Sequence, residues 1–231
     1  LRSRNLVLAD QAIFSGSSLM LTVMLARLLL SDVFGGFSAV ILFAYLLVSG
    51  LNALVIAPFQ VSYATTADKS DYLSFLWTVN SLLTIVLASA LVTMKYLLHA
   101  AHASFGEVPM GGLLFVVSFL THDFLRKVGL VRAALHSVLF LDFLLALGQC
   151  AVVSYAYFHP DLTLNHLLFG LAVGYCPALV YGTIVGKFAG KPGLQWRRYA
   201  QSHFDQGRWL FTTAIVQWWS SNLFVIASGA F

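Results

Sequence analysis

The strongest constraint on this chain is a series of apolar segments, each of about 20 residues, that recurs from one end to the other. A helix of that length rises about 30 Å, which is the thickness of the hydrocarbon core of a bilayer. In lipid only helices and closed barrels satisfy their backbone polar groups, and these segments lack the two-residue alternation of barrel strands. Charged residues make up only 10% of the sequence, against about a quarter in soluble domains. The sequence therefore predicts an all-α integral membrane protein, a polytopic helical bundle.

We predict seven transmembrane helices. They span Leu6–Leu30, Phe37–Pro58, Leu73–Leu98, Val108–Leu130, Ser137–Phe158, Leu164–Gly186 and Gly207–Phe231. The fourth is the least apolar, because charged residues follow its first half. We therefore expect its last turns to project into the cytosol.

The basic residues lie between the apolar segments and predict the orientation. With a cytoplasmic N-terminus, eleven of the thirteen Lys and Arg residues fall on the inner side, as the positive-inside rule requires. Only Arg27 and Lys95 lie at the outer ends of spans. The net charge of +4 is thus explained by topology, and we expect no nucleic-acid partner. We predict a multi-pass protein with its N-terminus in the cytoplasm.

The longest gap between spans separates the sixth and seventh helices and mixes basic with aromatic residues. It contains Trp196, Arg197, Arg198, Tyr199 and Phe204, a composition typical of an interfacial helix on anionic lipid. We predict a first six-helix bundle at 1–190, a cytoplasmic interfacial linker at 191–206, and the first helix of a second bundle at 207–231. Because the sequence stops where the seventh helix ends, we expect a piece of a longer protein.

Polar residues form a stripe along two of the predicted helices. They are Gln11, Ser15, Ser18 and Thr22 in the first helix, and Thr213, Gln217, Ser221 and Ser228 in the seventh. Spacings of three and four residues place each set on one helix face. In lipid such side chains must face protein or water. They either form hydrogen bonds between helices or line a shared central cavity.

Three further residues are candidates for function. Asp142 and Gln149 lie seven residues apart on one face of the fifth helix, with Gln149 near the midplane. A carboxylate inside a span marks a transport pathway or pairs internally, so Asp142 is either functional or a structural partner of Arg126 or Arg132. Arg27 either extends to the outer headgroups or binds an anionic group with both arms of its guanidinium.

Other charges and motifs carry less functional information. Asp10, Asp123 and Arg126 lie near the predicted inner edge, where charge costs little, and we assign them to topology. Cys150 and Cys176 fall inside predicted spans. The sequence has no glycine-rich phosphate loop, HExxH, GxSxG or CxxC motif. We therefore expect a protein that is not an enzyme and has no cofactor or metal site.

Two blocks of residues resemble a known family. The first is Asp10-Gln11, then Ala26-Arg27-Leu28, Phe34-Gly35 and Phe37; the second is Asp123-Phe124-Leu125-Arg126-Lys127 with Asp142. In these blocks the chain resembles the polysaccharide flippases, of the O-antigen and teichoic-acid type, in the multidrug, oligosaccharidyl-lipid and polysaccharide exporter superfamily. The resemblance covers the whole chain, which corresponds to the first bundle and one further helix.

The resemblance implies two six-helix bundles, related by a pseudo-two-fold axis, that give alternating access to a central cavity. The implied cargo is an undecaprenyl-diphosphate-linked oligosaccharide, moved from the cytoplasmic to the periplasmic leaflet of the inner membrane. Basic cavity residues would meet the diphosphate, and a sodium or proton gradient would drive the return step. The implied partners are the lipid-linked oligosaccharide, membrane lipids and polysaccharide assembly enzymes.

Two other classes of protein stay open. A multidrug and toxin extrusion antiporter of the same superfamily would need an acidic, aromatic-lined cavity for organic cations, and Asp142 is the one carboxylate that we expect to be well buried. A membrane enzyme acting on polyprenyl-linked substrates would need clustered charges at one membrane face. The segment from Asp123 to Arg132 is the candidate for such a cluster.

Overall fold

The structure is a computed structural model that describes the backbone of residues 2–100, 110–159, 161–186, 188 and 196–228, and the side chains of 5–93, 110–159, 161–186, 188 and 196–221. Throughout these residues the chain is helical, with short connecting turns. The helices are α1 (Arg2–Leu28), α2 (Ser31–Leu51), α3 (Ala57–Ser62), α4 (Lys69–Ala100), α5 (Met110–Val131), α6 (Leu135–Phe158), α7 (Leu164–Gly186) and α8 (Trp196–Ser228). The all-α prediction is confirmed for the described chain.

Several of these helices are long and apolar enough to cross a membrane. Within the described residues they are the five stretches Asn5–Leu28, Ser31–Ser62, Lys69–Thr93, Leu135–Phe158 and Leu164–Gly186. The chain is therefore a multi-pass helical membrane protein. Helices α5 and α8 do not meet the same criteria. Each combines apolar sequence with several charged side chains, so the fourth and seventh predicted spans remain predictions.

The second predicted span ends too early, because the helix does not stop at Pro58 but continues to Ser62. Proline has no N–H, and its ring crowds the carbonyl of the residue four positions earlier, which here is Leu54. The chain accommodates this defect in a π-helical turn, Asn52–Ile56, between α2 and α3. The defect therefore leaves the Leu54 carbonyl without its usual helical donor.

The chain divides into two compact units, of which the first contains residues 1–42 and 84–187. In this unit α6 packs against α1 and α7, and α5 packs against α7. Helices α6 and α7 approach most closely where Gly148 faces Gly174, so that a Cβ atom on Gly148 would lie 2.7 Å from the carbonyl carbon of Gly174. Paired small residues of this kind let membrane helices bring their backbones together.

The second unit contains residues 43–83 and 188–231, and here α8 packs against the π-helical turn and α3. Helix α8 is unbroken across residue 206, so the described parts of the predicted linker and the predicted seventh span form one helix. Residues 191–195 of that linker lie outside the described chain. The predicted boundaries at 190 and 206 separate a first helical bundle, a linker and a second bundle, and this division stays a prediction.

His203 attaches α8 to the π-helical turn. Its Nδ1 lies 3.2 Å from the Leu54 carbonyl oxygen, and its Nε2 lies 2.6 Å from the Tyr72 hydroxyl. A carbonyl only accepts, so Nδ1 carries the hydrogen and Nε2 accepts the tyrosine O–H. The Trp196 Nε1–H donates to Asp71 Oδ1 at 2.9 Å. These contacts fix the position and the rotation of the first turns of α8.

The docking of α8 is expected to weaken in acid, because burial lowers the pKa of His203. The folded state favours the neutral imidazole. The contribution of His203 to the stability of the docked helix is therefore complete above about pH 6.5 and is lost as the pH falls below that value. Tyr199 stays neutral because burial raises its pKa. Tyr72 is bonded to His203 and packs against Tyr199, and the charged groups near Tyr199 are Asp71, Asp68 and Arg198. Hydrogen exchange over residues 196–206, corrected for intrinsic rates, should become faster as the pH is lowered from about 7.5 to 5.

A His203→Gln variant supplies the control, because glutamine does not titrate in this range. We expect its exchange over the same residues to be independent of pH after correction. Equal pH dependence in the variant and the wild type would assign the effect to another group.

Candidate functional site

A buried cluster of charges joins three helices of the first unit. Arg126 of α5 donates from Nε to Asp142 Oδ2 of α6 at 2.6 Å, and from Nη2 to Asp10 Oδ2 of α1 at 2.7 Å. The exposed fraction is 0% for Asp142, 3% for Asp10 and 9% for Arg126. Because one guanidinium holds both carboxylates, the cluster connects α1, α5 and α6 inside the unit.

Aromatic rings cover this cluster. The Phe14 ring centroid lies 4.1 Å from the Arg126 guanidinium carbon, and the same ring stacks against His122 at 6.4 Å. Tyr175 of α7 meets His122 edge-on at 5.4 Å. A spacing of four residues places Phe14 beside Asp10 on α1, and Arg126 beside His122 on α5. The rings exclude water and stabilise the cation through their faces.

Three polar atoms of the cluster are left without a hydrogen bond in the described part of the chain. Asp10 Oδ1, Asp142 Oδ1 and His122 Nε2 are buried and have no hydrogen-bond partner among the described residues. His122 Nε2 lies 3.5 Å from Asp142 Oδ1. With His122 neutral, two carboxylates and one guanidinium leave a formal charge of −1. The arrangement can therefore take up one positive charge, either as a proton or as a small cation.

Part of this cluster could be identified from the sequence. Of the two partners considered for Asp142, the structure selects Arg126, since Arg132 donates from Nη1 to the Gly186 carbonyl at 2.9 Å. Asp10 and Arg126, which we assigned to topology, are instead buried and paired. A signal was present in the four-residue spacing that joins each of them to an aromatic ring. The pairing between distant helices has no signature in one sequence.

Gln149 is buried on the same face of α6 as Asp142, about 10 Å farther along the helix. Its Oε1 has no hydrogen-bond partner among the described residues. An unsatisfied amide oxygen in an apolar setting is costly, so Gln149 Oε1 is available to a water molecule or to another hydroxyl donor. Its assignment as a cavity residue stays a prediction.

The polar stripe of α1 forms hydrogen bonds along its own helix. Gln11 donates from Nε2 to Ser15 Oγ at 2.9 Å, and the Thr22 hydroxyl donates to the Ser18 carbonyl at 2.9 Å. Of the predicted site residues outside α6, Ser18 is half-buried and the others are exposed: Gln11, Ser15, Thr22, Arg27, Gln217 and Ser221. The side chain of Ser228 lies outside the described residues. Exposure is expected on a cavity wall and on a lipid-facing side alike, so the shared cavity stays a prediction.

The charges proposed for an enzyme site form structural contacts. Lys127 donates to Asp123 at 2.7 Å one turn away on α5, and Arg132 closes the end of α7 at Gly186. The described residues also contain no group of three or more His, Cys, Asp or Glu side chains that could hold a metal ion. The buried charge cluster is therefore the strongest candidate site in this part of the chain.

No family model, curated protein or solved structure matches the chain, so the resemblance to polysaccharide flippases depends on the sequence blocks alone.

Proposed function

We propose that this chain belongs to a secondary transporter that flips polyprenyl-diphosphate-linked oligosaccharide from the cytoplasmic to the periplasmic leaflet by alternating access. The buried cluster of Asp10, Arg126 and Asp142 is the observation that carries the proposal. Ionisable groups inside a membrane bundle are costly, and their usual roles are in ion or substrate pathways. A sugar headgroup likewise needs an enclosed polar route across about 30 Å of hydrocarbon.

The cluster supplies a means of coupling. Uptake of a proton or a sodium ion by the surplus carboxylate weakens its hold on Arg126, because the guanidinium then faces less negative charge. The contacts that join α1, α5 and α6 loosen in that state and tighten again when the ion leaves. An ion gradient can in this way bias two arrangements of the helices, which alternating access requires.

We assign binding of the anionic diphosphate headgroup to Arg27. It is exposed at the end of α1, and it takes no part in the buried cluster. A guanidinium binds phosphate oxygens with two parallel hydrogen bonds. Arg27 is therefore the residue that we propose for the diphosphate, because Arg126 already binds two carboxylates.

The test uses the intact protein in proteoliposomes that contain a fluorescent, short-chain polyprenyl-diphosphate sugar. Translocation protects the fluorophore from a membrane-impermeant quencher. In the presence of a proton or sodium gradient, Asp142→Asn should slow translocation by about tenfold or more, since it removes a charge that both Arg126 and the coupling ion use. Asp123→Asn is the matched control, because it removes a carboxylate from an ion pair of α5 outside the cluster.

Two outcomes would count against the proposal. Translocation at the wild-type rate by Asp142→Asn would remove the coupling role of the cluster. Absence of translocation by the wild-type protein under every gradient, with the fluorescent lipid correctly inserted, would reject the flippase function itself.

A cation antiporter is the second candidate, and the burial of Asp10 favours it. The sequence offered one buried carboxylate for an organic cation, but this cluster has two, Asp10 and Asp142. The rings of Phe14 and Tyr175 contact the other members of the cluster. The same proteoliposomes distinguish the two functions. Gradient-driven movement of ethidium without movement of the lipid-linked sugar would favour the antiporter.

A further inference from the structure

The first turns of α8 have two opposite faces. Tyr199, His203 and Gly207 form the buried face, at spacings of four residues. A Cβ atom on Gly207 would lie 3.3 Å from the Ala53 carbonyl oxygen, so the helix backbone itself rests on the π-helical turn. Together with the His203 and Trp196 hydrogen bonds, this contact determines which side chains of α8 point away from the second unit.

The opposite face is basic and aromatic. We name this the α8 basic face, and it consists of the exposed residues Arg197, Arg198, Phe204, Asp205, Arg208 and Trp209. At 100° per residue they occupy an arc of about 140°, centred opposite the buried face. Phe204 is 65% exposed and Trp209 is 69% exposed. Three arginines against one aspartate give the face a net charge of +2.

A hydrogen bond from Trp196 holds this face beside the end of a candidate membrane span. Trp196 binds Asp71, which is the third residue of the candidate span Lys69–Thr93. Arg197 and Arg198 follow at once, and they therefore lie level with the end of that span. At such a boundary guanidinium groups meet lipid phosphates, while tryptophan and phenylalanine rings lie among the glycerol and upper acyl carbons.

We propose that the α8 basic face binds the headgroups of acidic phospholipids. Charge determines which ligand fits this face. The face is cationic, and each arginine can bind phosphate oxygens with two hydrogen bonds. Its exposed rings are better suited to the membrane–water interface than to bulk water. Attraction to an anionic leaflet contributes about a fivefold gain in affinity per arginine. The site lies in the second unit and does not depend on transport by the charge cluster.

The experiment titrates the purified intact protein, in uncharged detergent, with dioctanoyl phosphatidylglycerol, and records bound lipids by native mass spectrometry. Dioctanoyl phosphatidylcholine and inorganic phosphate serve as the two comparison ligands. We expect phosphatidylglycerol to bind at least about tenfold more tightly than either, with the preference declining as salt rises. Equal binding of phosphatidylcholine, or saturation by inorganic phosphate at the same concentration, would overturn the proposal.

Substitutions locate the site. The triple variant Arg197→Gln, Arg198→Gln and Arg208→Gln should lose the phosphatidylglycerol preference by about tenfold or more. Asp205→Asn on the same face should strengthen it, because the net charge of the face rises. Hydrogen exchange over α8 reports whether the helix remains docked in both variants. An unchanged preference in a docked triple variant would show that acidic lipid binds elsewhere and would reject the proposal.

Discussion

Replacing Arg126 by alanine should destabilise the protein by about 3–5 kcal/mol, because it leaves Asp10 and Asp142 buried without a cation. Both carboxylates are nearly inaccessible to solvent, and each accepts a hydrogen bond from the Arg126 guanidinium. The measurement is the thermal unfolding midpoint of the purified protein in detergent. We expect a large fall in that midpoint, together with a low yield of folded protein.

The cause can be separated from lost packing by restoring charge balance. In the Arg126→Ala background, Asp142→Asn should recover part of the stability, because it removes one of the two uncompensated charges. The unfolding midpoint of Arg126→Lys should lie between those of the wild type and Arg126→Ala, because a compact ammonium cannot bind both carboxylates as the forked guanidinium does. Lys127→Ala, which breaks a partly exposed pair on the same helix, should cost less than about 1 kcal/mol. Similar losses in Arg126→Ala and Lys127→Ala would contradict this account.

Gly148→Ala should cost about 1–3 kcal/mol, the range expected when a packed interior receives one extra carbon atom. The added Cβ would lie 2.7 Å from the carbonyl carbon and 2.9 Å from the Cα atom of Gly174, and these backbone atoms cannot rotate away. Helices α6 and α7 must therefore separate. Unfolding midpoints in detergent, and the midpoint of unfolding in a denaturing detergent titration, would both fall.

Gly170→Ala is the matched control, because it makes the same chemical change in α7. Its Cβ would lie 3.8 Å from the nearest described atom, a methyl group of Val152, which is an ordinary contact. Alanine also favours a helix over glycine by about 1 kcal/mol, so this variant should be neutral or slightly more stable. A destabilisation equal to that of Gly148→Ala would mean that the close approach of α6 and α7 is not the cause.

The helices could be predicted from sequence, whereas the site could be predicted only in part. A long apolar segment predicts a membrane helix by itself, because in lipid each segment must satisfy the hydrogen bonds of its own backbone. The continuation of the second span past Pro58 could not be predicted in this way, because a proline can either end a helix or distort it.

The charge cluster depends on contacts that sequence periodicity does not encode. Asp142 was identified by its position inside a span, but its partner Arg126 also binds Asp10, which lies 116 residues away in the chain. Both Asp10 and Arg126 lie near the ends of apolar stretches, where a charge is cheap if it faces water. Only the packing of α1, α5 and α6 brings them out of water and makes them partners.

The defect at Pro58 has a consequence for how this protein tolerates sequence change. An alanine at that position would restore an N–H, and the Leu54 carbonyl could then return to its own helical ladder. The restored helical N–H would then compete for this carbonyl with His203, which now reaches it from 149 residues away. A more regular second helix would thus hold the eighth helix less firmly, so a substitution that improves local helix formation would weaken a contact made far away in the chain.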